Sequence, residues 1–283
     1  MTTGSAFFES SGQRHIYEQW WRPDAGVPRG VVAICHGFAE HSGRYSAVAE
    51  FLNARGYVVE ALDLRGHGRS DGVRVHVYSF NEYLDDLRRF LANVEERNPG
   101  LPVALLGHSM GGGIAALYVV VRRPKLAGVI LSGPALGTEL VSLSLPRRLI
   151  LKILSVAPRL RLPSLSASAV SRDPEVVRQY EEDPLVYRGG GTVAHTAAGL
   201  RALTRATRDM EQFEPPLLIV HGTADDLVPV AGSEELHTRA GSKDKALKLY
   251  SGLFHEVLNE PERLTVLGDI AAWLDERLPP PAT

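Results

Sequence analysis

Leu101-Pro102-Val103-Ala104-Leu105-Leu106-Gly107-His108-Ser109-Met110-Gly111-Gly112-Gly113-Ile114-Ala115-Ala116-Leu117-Tyr118 is the stretch that decides the fold. An apolar run enters Gly107–Gly111 and a helix-forming run of small residues leaves it. The order is strand, sharp turn, helix, with Ser109 at the apex: the pattern of a nucleophile elbow. The glycines permit a turn that a Cβ would block. The serine backbone is expected to be strained so that Oγ stands clear of its neighbours. The helix that begins there aims backbone N–H groups at any negative charge nearby.

The spacing alone is weak evidence, because Gly68-Arg69-Ser70-Asp71-Gly72 matches it too. That second match follows the polar loop Asp63-Leu64-Arg65-Gly66-His67, and Val73-Arg74-Val75-His76-Val77 after it alternates as a strand would. No apolar strand runs directly into it and no helix leaves it. Context makes Ser109 the candidate nucleophile and Ser70 a loop serine.

A serine hydroxyl needs a base, usually a histidine held by a buried carboxylate. Behind an elbow of this kind the chain order is serine, acid, histidine. Of the ten histidines, only His237 and His255 follow a plausible acid. His237 lies in a polar stretch, 230–239, that reads as a surface helix. His255 follows the strand-like Ala246-Leu247-Lys248-Leu249-Tyr250 and the turn Ser251-Gly252, on the sheet edge where open α/β sheets place their sites. The buried-strand run Pro216-Leu217-Leu218-Ile219-Val220 leads to His221-Gly222-Thr223-Ala224-Asp225-Asp226, and either aspartate can reach His255. His221 reads as a packed histidine. Asp173, Asp183 and Asp209 do not follow a strand and are set aside. Cys35, inside Val31-Val32-Ala33-Ile34, reads as a buried inert thiol. As the only cysteine it excludes an internal disulfide and a multi-cysteine metal site.

Acyl transfer needs donors aimed at a developing oxyanion. Met110 N–H, next after the serine, is one. The second comes from the loop His36-Gly37-Phe38-Ala39-Glu40-His41 after the strand 30–35, with Phe38 N–H as the donor.

These stretches together resemble monoacylglycerol lipases of the α/β-hydrolase group. His36 to Tyr45 is similar to their HGxGEHSGRY loop, Asp63 to Ser70 to their D-x-RGHG-x-S loop, and Gly107 to Gly111 to their GHSMG elbow. His221-Gly222-Thr223-Ala224-Asp225-Asp226-Leu227-Val228-Pro229 resembles their HGxxDxxVP acid loop, which selects Asp225 over Asp226. The family histidine matches His255. The resemblance covers nearly the whole chain except about 136–210, and its oxyanion loop is the most specific element. Ala39 departs from it, since the family usually has glycine there; if the position needs φ > 0, alanine is strained. The resemblance further implies that Glu40, Arg44 and His108 help hold a glycerol group. The alternative is that Glu40 and Arg44 pair at the start of the following helix.

A chain of 283 residues with 44% hydrophobic and 23% charged residues is ordinary for a globular enzyme. A net charge of −2 gives no basic field for nucleic acid. The first residues lack a signal peptide's positive region and apolar core, and no apolar run reaches membrane-spanning length, so a cytoplasmic protein is expected. After an opening hairpin, strand-like and helix-like runs alternate, as in a mostly parallel sheet with helices on both faces. This reads as an α/β-hydrolase fold with eight strands, its core formed by 1–135 and 211–283. Residues 136–210 break the alternation and read as an inserted helical cap. The cap's first helix, Pro146 to Ala157, carries an apolar stripe (Leu149, Ile150, Ile153, Leu154, Ala157) opposite a basic one (Arg148, Lys152, Ser155, Arg159). The apolar stripe either packs on the cap's own core or faces lipid, giving peripheral membrane contact. Residues 160–168 are expected to be irregular.

The expected function is a serine carboxylic ester hydrolase acting on monoacylglycerols or similar lipid esters, with no cofactor or metal. A broad carboxylesterase or lysophospholipase would use the same triad. A peptidase is disfavoured, since the oxyanion loop lacks the Gly-Gly-Pro type of sequence of proline iminopeptidases. A non-catalytic binding relative should have lost one of the three residues, and all three are present. The oligomeric state is left open.

Overall fold

The computed structural model describes residues 1–142, 156–164 and 166–278. Eight strands form one sheet among them, in the order β1-β2-β4-β3-β5-β6-β7-β8. The hairpin of β1 (Thr2–Ser10) and β2 (Arg14–Arg22) is antiparallel, and β2 runs antiparallel to β4 (Tyr57–Leu62). From there β3 (Gly30–Cys35), β5 (Val103–His108), β6 (Gly128–Ser132), β7 (Leu217–Gly222) and β8 (Lys245–Tyr250) are all parallel. Strands β3 to β7 are buried along their whole length. That is why they read as continuous apolar runs rather than alternating ones, as parallel strands covered on both faces must.

The period of two in side-chain direction divides these strands between two cores. Val31, Ala33 and Cys35 of β3 join one core; Val32 and Ile34 join the other. The first core is closed by α2 (Asn81–Arg97), α3 (Met110–Arg122) and α6 (Val193–Arg208), through residues such as Leu87, Ile114 and Ala202. The second is closed by α1 (Ser46–Asn53) and α8 (Arg263–Arg277), through Leu52, Ile270 and Leu274. The helix α7 (Ala231–Arg239) adds Leu236 to the first core.

Between β6 and β7 the described residues contain α4 (Thr138–Val141), α5 (Pro174–Glu182) and α6, and no strand of the sheet. Of the helix read over Pro146 to Ala157, residues 146–155 lie outside the described residues, and so does its apolar stripe up to Leu154. Arg161 pairs with Thr192 in an isolated antiparallel bridge, so the stretch read as irregular is tied down there. Among the described residues no helix is long and apolar enough to cross a membrane.

Val73 to Val77 is not a strand. Val75 sits at φ 47°, a left-handed conformation that cannot continue a β-strand. Its N–H bonds Gly66 O at 3.2 Å. Val75 and Val77 are nonetheless buried, while Val73 is exposed; only the second half of the apolar alternation faces inward, and it does so without any ladder.

Candidate active site

The turn after β5 places Ser109 at φ 52°, ψ −119°, directly before α3. A non-glycine residue rarely adopts this backbone, and such strain persists only where the surroundings enforce it. Here Ser109 N–H bonds Ser132 O at 2.9 Å, and Ser109 O accepts from Gly113 N–H at 3.0 Å and Ala135 N–H at 2.9 Å. Gly111 is required by close approach: a Cβ there would lie 2.2 Å from Cys35 O. The elbow is thereby pressed against the end of β3, beside the 36–41 loop.

Ser109 Oγ–H donates to His255 Nε2 at 2.8 Å. His255 Nδ1–H donates to Asp225 Oδ2 at 2.6 Å. Asp225 is bound from two further sides. Its Oδ1 accepts Leu227 N–H at 2.8 Å and Val228 N–H at 2.9 Å. Its Oδ2 also accepts His221 Nε2–H at 3.0 Å. Burial alone would raise this carboxyl, but the hydrogen bonds from His221 and His255 outweigh it and hold it well below the ordinary carboxylate range. Asp226, its exposed neighbour, is turned to solvent.

His221 is therefore more than a packed histidine. Its Nδ1 accepts Ser233 Oγ–H at 2.7 Å, which leaves Nε2–H to hold the carboxylate. The sequence offered one signal for this, its position four residues before the acid.

The 36–41 loop, expected to carry an oxyanion donor, lies against the serine. A Cβ on Gly37 would stand 2.9 Å from Glu40 Oε1 and 3.2 Å from Ser109 Cβ. The N–H groups of Phe38 and Met110 have no backbone acceptor among the described residues. Gly37 is fixed at both ends: its carbonyl accepts His36 Nδ1–H at 2.8 Å, and its N–H donates to Glu40 Oε1 at 2.6 Å, while the N–H of the Gly37–Phe38 peptide stays available. His36 Nε2 accepts Leu64 N–H at 2.9 Å, so the tautomer is dictated by its partners. His36 was not singled out from the sequence; its place in the His-Gly dipeptide was the available clue. Ala39 has φ 62°, so alanine occupies a left-handed position that favours glycine. Its carbonyl accepts Tyr187 N–H at 2.8 Å, joining this loop to the segment between α5 and α6.

Behind the loop, Glu40 and Arg44 do pair, with Arg44 Nη1–H donating to Glu40 Oε2 at 2.8 Å. Arg44 also grips Glu256 through both nitrogens, each at 2.7 Å. Burial would raise the Glu40 carboxyl, but the charges of Arg44, His108 and His36 bring it to about 2. His108 is buried, donates from Nδ1 to Ser132 O at 3.0 Å and lies with its ring centroid 4.9 Å from that of His255. Burial, then the neighbouring His255, lowers it to about 4. A small cavity is bordered by Glu40, Tyr45, Val48, His108, Glu256, Leu258 and Asn259.

The other candidates lie apart from this cluster. Ser70 is buried and bonded to Asp63 O of its own loop and to Tyr17 N–H of β2. Cys35 is fully buried, and burial pushes its thiol up. His237 sits on α7. A larger cavity, lined by residues such as Glu95, Asn98, Arg123 and Pro215, lies at the opposite edge of the sheet, where β5 begins.

An eight-stranded, mostly parallel sheet with a strained serine turn after β5 is the α/β-hydrolase fold, and the chain shares it with solved esterases and lipases. More narrowly, the chain belongs to the family described as serine aminopeptidase, S33, whose model matches residues 26–262. The monoacylglycerol lipase of Mycolicibacterium smegmatis is 43% identical over 96% of this chain and 97% of its own. Human monoglyceride lipase is 35% identical over 93% of this chain and 88% of its own. The crystal structure of Paleococcus ferrophilus monoacylglycerol lipase superposes with a TM-score of 0.80 at 31% identity, covering 98% of this chain and 100% of that one.

Proposed function

We propose that this chain hydrolyses monoacylglycerols through an acyl-enzyme, with Ser109 as nucleophile, His255 as base and acid, and Asp225 as the carboxylate behind it. One observation carries the reading: the unbroken line from Ser109 Oγ to His255 (2.8 Å) to Asp225 (2.6 Å) at a strained elbow. His255 Nε2 removes the hydroxyl proton as Oγ attacks the ester carbonyl. Asp225, ionised, stabilises the imidazolium that forms. The N–H groups of Phe38 and Met110 receive the oxyanion. His255 then protonates the leaving glycerol oxygen, and a water activated by the same nitrogen releases the fatty acid. No step calls for a metal or cofactor.

One feature supports a glyceride over a peptide or a simple ester: two relatives that align along nearly the whole chain carry glyceride-lipase names. Glu40 and His108 would meet the glycerol, with Arg44 behind them; the cavity they border is about 10 Å³, room for one water, so the leaving group would lie at its mouth toward Ser109. The acyl chain would run under the cap, read as 136–210. We place the enzyme in the cytoplasm, touching a lipid surface through that cap; Val156 and Leu160, exposed at its described edge, support such contact.

The test is hydrolysis of mono-, di- and triacylglycerols over a range of chain lengths. Monoacylglycerols should give the highest kcat/KM, with long chains favoured. Preference for simple short esters or for lysophospholipids would replace this reading with a broad carboxylesterase or a lysophospholipase.

A further inference from the structure

We infer that Arg44 and Glu256 are positioning residues that lock the oxyanion loop to the histidine loop, rather than ligands of the leaving alcohol. The inference rests on the ester-hydrolase reading of Ser109 and deepens it.

The connection can be followed atom by atom. Gly37 N–H, one peptide before the proposed oxyanion donor Phe38, is held by Glu40 Oε1 at 2.6 Å. Tyr45 Oη–H donates to the same oxygen at 2.9 Å. Glu40 Oε2 takes Arg44 Nη1–H at 2.8 Å. The Arg44 fork closes on both oxygens of Glu256, and Glu256 is the residue next to His255. Asn259 Nδ2–H donates to Glu256 Oε2 at 2.8 Å. One side chain thus joins the two loops that must agree on where the tetrahedral carbon sits.

Two features make an alcohol-binding role for Arg44 a poor fit. First, both its terminal nitrogens are committed to carboxylates. Its flat face is covered by the Tyr180 ring of α5, with the guanidinium carbon 4.8 Å from the centroid. Second, the cluster is expensive. Two buried carboxylates share one guanidinium, and burying charge carries a desolvation cost that pairing does not fully offset. Apolar packing would hold two loops together at less cost. What it would not supply is a planar fork fixed to two carboxylates at once, which arginine does and lysine cannot. The excess negative charge also lies near His108 and, beyond it, His255. The clamp reaches the inserted segment too: Glu256 N–H donates to Val170 O at 2.8 Å.

The test uses p-nitrophenyl butyrate, an ester without glycerol, alongside a long-chain monoacylglycerol. Arg44→Lys and Glu256→Gln should each lower kcat on both substrates by roughly 10²-fold, the cost of a misplacement near 1 Å, with KM on the butyrate changed less than about threefold. A short alkyl boronic acid, which forms a tetrahedral adduct on serine, should bind correspondingly more weakly. Glu40→Gln combined with Glu256→Gln should lose no more than about the worse single variant, as parts of one unit do. Asn259→Ala removes one of the two donors on Glu256 Oε2, which Arg44 Nη2–H still holds, and leaves the clamp charged, so it should fold and lose roughly threefold in butyrate kcat, the lower end of what one hydrogen bond contributes. The inference is overturned if Arg44→Lys and Glu256→Gln raise KM for the monoacylglycerol alone while butyrate kcat stays intact. It is equally overturned if they lower only the melting temperature, or if Asn259→Ala leaves butyrate kcat untouched. Failure of the underlying reading looks different: Ser109→Ala would still hydrolyse the butyrate.

Discussion

Ser70 and Ser109 each sit at the centre of a G-x-S-x-G pentapeptide, and the fold uses the two hydroxyls in opposite ways. Ser70 Oγ–H donates to Asp63 O at 2.5 Å, and Oγ accepts Tyr17 N–H at 2.9 Å, so both its capacities are spent on backbone. Ser109 Oγ–H has His255 as its partner. The backbone differs in the same sense. From Asp63 to Gly72 the positive φ values fall on glycines, with Gly66 at 73°, Gly68 at 47° and Gly72 at 120°; Val75 at 47° lies beyond the pentapeptide. At the elbow the serine itself takes φ 52°. The first pentapeptide puts its unusual conformations where they cost least. The other places the strain on the residue whose side chain has to be presented. The motif specifies room for a turn; the strand before it and the helix after it decide which turn.

The largest expected effect tests that contrast directly. Ser109→Ala should reduce ester hydrolysis by on the order of 10⁴-fold or more, with the fold intact because the change is small. Ser70→Ala should do the reverse. It leaves the buried N–H of Tyr17 without its acceptor, a loss of about 1–3 kcal/mol in stability, while hydrolysis per folded molecule stays near the parent value. Parallel rate and melting measurements on the two variants settle it. Loss of hydrolysis in Ser70→Ala with retention in Ser109→Ala would exchange their roles.

How far the sequence could be read follows the same logic. Strand-to-helix transitions were legible because buried parallel strands are continuous apolar runs, as Val103 to Leu106 and Leu217 to Val220 show. The serine and histidine could be picked out because each sits where a strand ends. The aspartate took the resemblance to separate Asp225 from Asp226, since two adjacent carboxylates look alike until one is turned inward. Residues acting through others were not legible. His36, His221 and Glu256 flank or precede site residues, but nothing in one-dimensional spacing says that an imidazole holds a peptide carbonyl or that Arg44 bridges 212 positions. Val73 to Val77 misled because an alternating apolar sequence can also lie in a loop, where Val73 is exposed and only Val75 and Val77 turn inward.

The two loops also share a property, and pH should expose it. Each carries a buried imidazole: His67 beside the first pentapeptide and His108 within the second. Burial, then the nearby His36, holds His67 well below the ordinary histidine range. Burial, then His255, lowers His108 to about 4. Both folded values are depressed, so the unfolded chain binds protons that the folded chain refuses. Stability from these groups is complete above about pH 6.5 and falls as pH drops, to near pH 4 for His108 and lower for His67. Each should contribute a slope of about 1.4 kcal/mol per pH unit. Chemical denaturation between pH 7 and 4 should show the slope, and His108→Gln or His67→Gln should each remove about one proton from it. A slope unchanged in both variants would mean that these imidazoles are not held neutral.

The smallest effect concerns the one strained residue of the oxyanion loop that has no side-chain chemistry. Ala39 shares with Ser109 a positive φ, 62° against 52°, but its methyl group performs no reaction. A left-handed residue with a Cβ is disfavoured by roughly 1–2 kcal/mol. Replacement by glycine removes that strain and loosens the unfolded chain by about 0.4–1 kcal/mol. The difference is a gain of about 0.8 kcal/mol, which for a chain of this size is a rise in melting temperature of about 2–3 °C. Calorimetry on Ala39→Gly resolves such a shift. A fall of the same size would mean that the buried methyl and the stiffer unfolded chain outweigh the strain. The left-handed turn would then be no burden to the loop, and the sharp line between strain kept for presenting Ser109 and strain merely tolerated beside it would have to be redrawn.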